Sequence, residues 1–458
     1  AASGVAVPFD DAMLQRAWQM PSRAQDPVMQ PAQRPVARVG RSGGLRDVHG
    51  TVHHLAIDDC DILTAQFGDT GQTAVGFYRR RTDIEDSATA GLAALAVRAM
   101  MRGTERLPGA ALAFAIESLG GALRPTLSPD LIGFGTVTLT ARAADAAALI
   151  DEVLRRPRFD PDDVAIERLL LMADARSIAD DMMRFPMQLA FAAAFGDTGY
   201  GSPLLGTEAA IATFDAERVG DTHRALLAGG RTTIVAVGDG DPVQLAEAIA
   251  GAVQTAGEPG GAGLPAPRVM PVRPGSRIAY RDREQAAMAM LFPGPSRTSP
   301  DRFAAETWGA IAAGLGGRLF ESLRSARSLA YTVIADSWQR RRAGGLLTYI
   351  ATDPARLGEA RDAMLEELDR FRREPPAGDE VRRATAMLAG EVEMARQTAG
   401  AFAAEIADAW LLGDGVGELL DPAAPYRAVN AADVYRVVSN ALDPAARAEG
   451  VVTTSPPE

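Results

Sequence analysis

Phe195-Gly-Asp197, followed by Phe214-Asp-Ala-Glu-Arg-Val219, returns later as Leu412-Gly-Asp414 followed by Asn430-Ala-Ala-Asp-Val434, an offset of about 216 residues. A single repeat at that spacing is too long for a solenoid and implies two homologous domains. The order of elements repeats too. Short β-type runs at 51–57, 62–67 and 73–78 precede helical runs at 87–103 and 109–119, then a strand at 131–141. Helical patterns follow at 143–156, 161–181, 188–195 and 216–227, and a β run at 232–237 leads into a helix ending near Val253. The second half replays this, with strands at 277–281, 286–292, 329–337 and 346–352. Its helices fall at 300–314, 319–327, 357–373, 379–397, 401–412 and 431–441. Mixed strands followed by runs of helices predict an α+β fold: two homologous domains, each a mixed or antiparallel sheet with helices on one face.

The Gly/Pro-dense stretch 256–275 is the linker between them. The expected organisation is an extended arm over 1–46, with one helical turn near Ala12–Trp18, then a first domain over 47–255 and a second over 276–458. The chain carries 47 basic and 59 acidic residues, net −12, and every cation is arginine. Such a balance argues against nucleic acid or an anionic membrane as partner. No run of 18 apolar residues is present to span a bilayer.

Cys60 is the lone cysteine, which excludes an internal disulfide and Cys-rich metal sites. It is expected to be inert. His49, His53 and His54 lack a carboxylate at a convincing spacing and read as surface or interface histidines. Gly238-Asp-Gly-Asp-Pro242 lacks the pattern and the lysine of a phosphate loop, so it reads as a helix start with Asp241 at the N-cap and Pro242 at N1.

One stretch stands apart: Gly314-Leu-Gly-Gly-Arg-Leu-Phe-Glu-Ser-Leu-Arg-Ser-Ala-Arg-Ser-Leu-Ala-Tyr331. A Gly-rich entry, a short amphipathic helix and a β run lie close together, so the intervening turn can aim Arg324 and Tyr331 at one point. It resembles the second-domain signature of the pitrilysin/insulinase (M16) metallopeptidases, S-R-L-F-x-x-L-R-x-x-x-x-L-A-Y. Arg318-Leu-Phe320, Leu323-Arg324 and Leu329-Ala-Tyr331 match in register. The resemblance covers about residues 50–450 and implies half of a clamshell.

The same family carries an inverted zinc motif, H-x-x-E-H, on a helix of its first domain. Here Gly91-Leu-Ala93 and Gly103-Thr104 frame it without a gap, but the ligand positions hold Ala94 and Arg98 and the base position holds Val97. The third ligand position falls near Asp174. By resemblance, then, this chain binds no metal and is the non-zinc subunit of a heterodimeric zinc peptidase, its zinc-bearing M16 partner supplying the metal. Arg324 would hold the backbone of a peptide or unfolded protein substrate, and the Tyr331 hydroxyl would donate to the oxyanion. One such donor is worth about 3–4 kcal/mol of transition-state stabilisation. Substrate pairing along a sheet edge is also expected. The competing readings are a structural or assembly subunit, like those of respiratory complexes with this fold, and a peptide-binding chamber that never cleaves. An Arg-only, Ala-rich composition and a start at Ala1 suggest a bacterial periplasmic setting, with the cytoplasm as the alternative.

Overall fold

A computed structural model describes residues 45–48, 52–68, 70–81, 84–228, 230–254, 269–314 and 316–454. Residues 1–44 of the arm with its helical turn, His49 and most of the linker lie outside the described residues, and the end of the arm, from Leu45, belongs to a strand. Seven strands form the first sheet: β1 (Leu45–Val48), β2 (Val52–Ile57), β3 (Cys60–Gln66), β4 (Gln72–Arg80), β5 (Arg124–Leu127), β6 (Leu131–Leu139) and β7 (Thr232–Gly238), in the order β1-β2-β3-β7-β4-β6-β5. Five form the second: β8 (Gly275–Tyr280), β9 (Ala286–Pro293), β10 (Thr332–Gln339), β11 (Gly344–Thr352) and β12 (Ala448–Thr453), in the order β10-β11-β9-β12-β8.

The duplication shows in the pairing. β3 and β7 run parallel and every other pair in that sheet antiparallel; β8 and β12 run parallel and the rest antiparallel. So β3-β7-β4-β6-β5 recurs as β8-β12-β9-β11-β10, and the β1–β2 hairpin is an addition to the first sheet.

Each sheet carries its own helices on one face. Under the first, Val97, Met100, Ile150, Val153 and Ile249 meet Ile62, Phe77, Phe134 and Ile234. Under the second, Trp308, Met364, Phe371 and Val438 meet Met290, Phe292 and Ile350. The opposite faces are covered by exchange. Helix Ala399–Leu411, from the second half, lays Phe402, Ala403 and Ile406 on Leu63, Val235 and Val237 of the first sheet. Helix Arg184–Phe195, from the first half, lays Ala190, Ala194 and Phe195 on Ala287, Leu291 and Ala448 of the second. It passes so close to β12 that a Cβ at Gly450 would fall 2.0 Å from the Pro186 carbonyl oxygen. Only glycine fits there.

Polar contacts fasten the exchange. Arg80 and Arg341 donate to the carbonyls of Trp410 (3.2 Å) and Leu411 (2.9 Å), capping the negative end of the helix from the second half. Tyr200 donates to Asp130 Oδ1 (2.7 Å) and accepts from the Arg342 backbone N–H (3.1 Å), joining the β5–β6 turn, the segment after the exchanged helix and the β10–β11 turn.

Local starts and stops differ in places from the pattern reading. The first helix runs Leu92–Met100 rather than from Ser87, because Asp86 accepts from the N–H groups of Ala88 and Thr89 (both 3.0 Å) and winds 87–90 into turns. Asp241 caps its helix as expected, accepting from Val243 (2.8 Å) and Gln244 (3.0 Å) with Pro242 at the first position.

Candidate functional site

The signature segment folds from its apolar positions. Leu319 and Leu323, one helical turn apart, are buried with Leu329 in the second core. Phe320–Ala326 winds as a π-helix, a form that recurs at functional sites. Arg318 is a structural member: it grips Glu380 through two bonds (2.8 and 2.6 Å) and lies over the Phe371 ring at 4.7 Å. Ser322 bonds Glu367 (2.7 Å) and Arg327 bonds Glu366 (2.8 Å). These contacts fix the inner side of the segment and leave Arg324 and Tyr331 outside.

The two are brought to opposite sides of one turn. Arg324 is exposed, its guanidinium over the Phe320 ring at 5.0 Å, and Tyr331 is 62% exposed at the entry to β10. Its backbone N–H donates to the Ala351 carbonyl at 3.0 Å. Among the described residues no hydrogen bond joins the two side chains. Neither points into packed interior, and both can meet a ligand. β10 is an edge strand, with β11 on one side only.

In the first half, the positions aligned with the zinc motif are filled differently. Ala94 and Val97 are buried among apolar neighbours. Arg98 donates to Asp174, so a fixed guanidinium engages the carboxylate at the third ligand position. One turn on, Arg102 holds Glu167 at 2.5 Å. This donor set does not fit zinc: one carboxylate remains and a cation already occupies it. Among the described residues no three His, Cys, Asp or Glu side chains gather to hold a metal. The sequence names Arg98 and Asp174 separately but not their bond, which joins residues 76 apart.

The remaining candidates have structural roles. His54 Nε2 lies 2.9 Å from Asp61 Oδ1, with its ring 4.8 Å from that of Trp410. Cys60 is fully buried at the start of β3. Contrary to the pattern reading, an arginine does approach it, Arg155 at 3.3 Å. Burial and the neighbouring Asp59 nevertheless outweigh that cation and push the thiol up to about 12. Among the described residues no helix is long and apolar enough to cross a membrane.

The family described as insulinase (peptidase family M16) matches residues 83–208, and the one described as peptidase M16 inactive domain matches residues 213–388. An uncharacterised zinc protease of Streptomyces coelicolor is 24% identical over 311 residues, covering 66% of this chain and 68% of that protein. The crystal structure of a peptidase M16 inactive domain from Pseudomonas fluorescens superposes with a TM-score of 0.77 at 16% identity, over 91% of this chain and 99% of that one. A chain of complex III from Candida albicans superposes at 0.72 and 17% identity, over 87% and 94%. Both halves of the fold and its signature segment therefore have one source: the chain belongs to the insulinase family of peptidases, M16.

Proposed function

We propose that this chain is the non-zinc subunit of a two-chain M16 peptidase and lends Arg324 and Tyr331 to a site whose metal and general base are held by a zinc-bearing partner. The observation that carries this reading is the contrast between the two halves. The first has lost its ligands, with Arg98 bonded to Asp174, while the second keeps the signature's arginine and tyrosine at solvent on a fixed turn. In this reading the Tyr331 hydroxyl donates to the oxyanion as the substrate carbonyl is attacked, and Arg324 orients the peptide backbone. A donor of this kind needs an accessible, unpaired side chain on a rigid support, which is what 319–331 provides.

The test reconstitutes the chain with a zinc-bearing M16 subunit and follows cleavage of an unstructured peptide, with metal content measured for each chain. Activity is expected only in the mixture, and zinc only in the partner. Tyr331→Phe in the mixture is expected to lower kcat about a hundred- to thousandfold. Stoichiometric zinc and cleavage by the chain alone would overturn the split site, and full activity of Tyr331→Phe would remove the tyrosine from it. The fold likeness to a respiratory-complex chain favours one other reading, an assembly subunit without proteolysis. That reading predicts that the mixture assembles yet never cleaves.

A further inference from the structure

Six residues lie between Arg324 and Tyr331, and the relation of the two depends on the turn at Ser328. The Leu329 N–H donates to the Leu323 carbonyl (2.8 Å) and the Ser328 N–H to the Arg324 carbonyl (3.1 Å). The second of these, four residues back, is the single bond that ends a helix through a left-handed residue, and the leucines flanking it, Leu323 and Leu329, are both buried in the second core. The left-handed residue is Ser328, at φ 49°. Glycine ordinarily takes that position, because a Cβ crowds the backbone there. A serine keeps the conformation only when its surroundings impose it.

Those surroundings come from the end of β11 and the turn after it. Arg356 donates to the Ser328 carbonyl (2.9 Å) and to the Arg327 carbonyl (3.3 Å), and is itself held by both oxygens of Glu359 (3.0 and 3.2 Å). On the other flank, the Ala351 carbonyl takes the Tyr331 N–H. Leu329 and Ala330, between the two grips, are buried. Residues 351 and 356 thus clamp the turn from both sides.

We infer that Arg356 is a positioning residue: by holding the carbonyls of Arg327 and Ser328 it keeps Ser328 left-handed and thereby sets where Tyr331 stands relative to Arg324. The inference rests on the role proposed above for that pair, but its test does not pass through activity. The full chain has seven tyrosines. Labelling with 3-fluorotyrosine gives each a fluorine resonance, and Tyr331→Phe assigns one. Arg356→Ala is expected to shift or broaden the Tyr331 resonance beyond its linewidth, leaving those of buried Tyr200, Tyr349 and Tyr426 in place. Adding Ser328→Gly to Arg356→Ala is expected to restore the Tyr331 resonance, because glycine holds the left-handed conformation unaided. Rescue separates turn geometry from the mere loss of the Arg356–Glu359 pair. An unmoved Tyr331 resonance in Arg356→Ala overturns the inference, and so does a displaced one that glycine fails to restore. Should Tyr331→Phe keep full activity in the reconstituted enzyme, the functional reading falls while the fluorine result stands.

Discussion

Ile406 belongs to the second half of the chain, yet it is fully buried against the first sheet, among Leu63, Val235 and Val237. Ile406→Ala removes three carbon groups from that contact. At about 0.8 kcal/mol each the transfer loss is roughly 2.4 kcal/mol. A cavity between a rigid sheet and a helix clamped at its C-terminus by Arg80 and Arg341 collapses poorly, so the total cost is about 3–4 kcal/mol. That is a large part of the roughly 5–15 kcal/mol that holds a typical domain together. Urea unfolding measures the loss, and hydrogen exchange read by mass spectrometry locates it. Protection should fall in β4 and β7, far upstream in sequence, at least as much as in the helix itself. A cost below about 1 kcal/mol, or exchange that rises only within 276–458, would refute the exchanged packing.

Three further outcomes are expected. Cys60, fully buried with its thiol at about 12, should react with a thiol reagent at pH 8 only at the rate of structural opening, so that mild urea accelerates labelling steeply. Burial raises the Glu418 carboxyl, but the hydrogen bonds from Arg297 (3.1 Å) and Arg302 (2.6 Å) win and hold it below the ordinary glutamate range. Its stabilisation is therefore complete above the unfolded value of about 4.3 and lost as pH falls through the lowered folded value. Glu418→Gln should cost about 2 kcal/mol at pH 7, with the gap from the parent closing toward pH 3 in acid unfolding. A protease site inserted between Gly260 and Gly261 should, once cut, leave two fragments that co-migrate on gel filtration in buffer and part only in denaturant, because each half wears a helix of the other.

The two sheets were largely legible, because strands buried on a face alternate or run apolar as at 73–78 and 286–292. β12 escaped that reading. Ala448–Thr453 is a central strand, but Glu449 breaks the apolar run; Arg361 (3.2 Å) and Arg447 (2.5 Å) hold that carboxylate inside the fold. β5 escaped because it is a four-residue edge strand containing Pro125, which local propensity counts against a strand. The stripe Phe402–Ile406–Ala409 shows that its helix is buried on one side, but periodicity does not say against which sheet; that is settled by contacts across the whole chain. At the site, the types Arg324 and Tyr331 were visible and their support was not. The six-residue spacing of Leu323 and Leu329 was the available sign of a left-handed helix ending, while the grip of Arg356 depends on a hairpin returning to the same place.

The crossed helices also order events during synthesis. The outer surface of the first sheet, with Leu63, Val235 and Val237, is complete as a strand array once residue 238 has left the ribosome, but its cover spans residues 399–411. At about 5–20 residues per second, the nascent chain carries that bare apolar plane for on the order of ten seconds or more before its lid is even translated. A chaperone that binds extended apolar surface has its longest opportunity on this protein in that interval. Truncated products ending before residue 399 are consequently the ones most prone to clump.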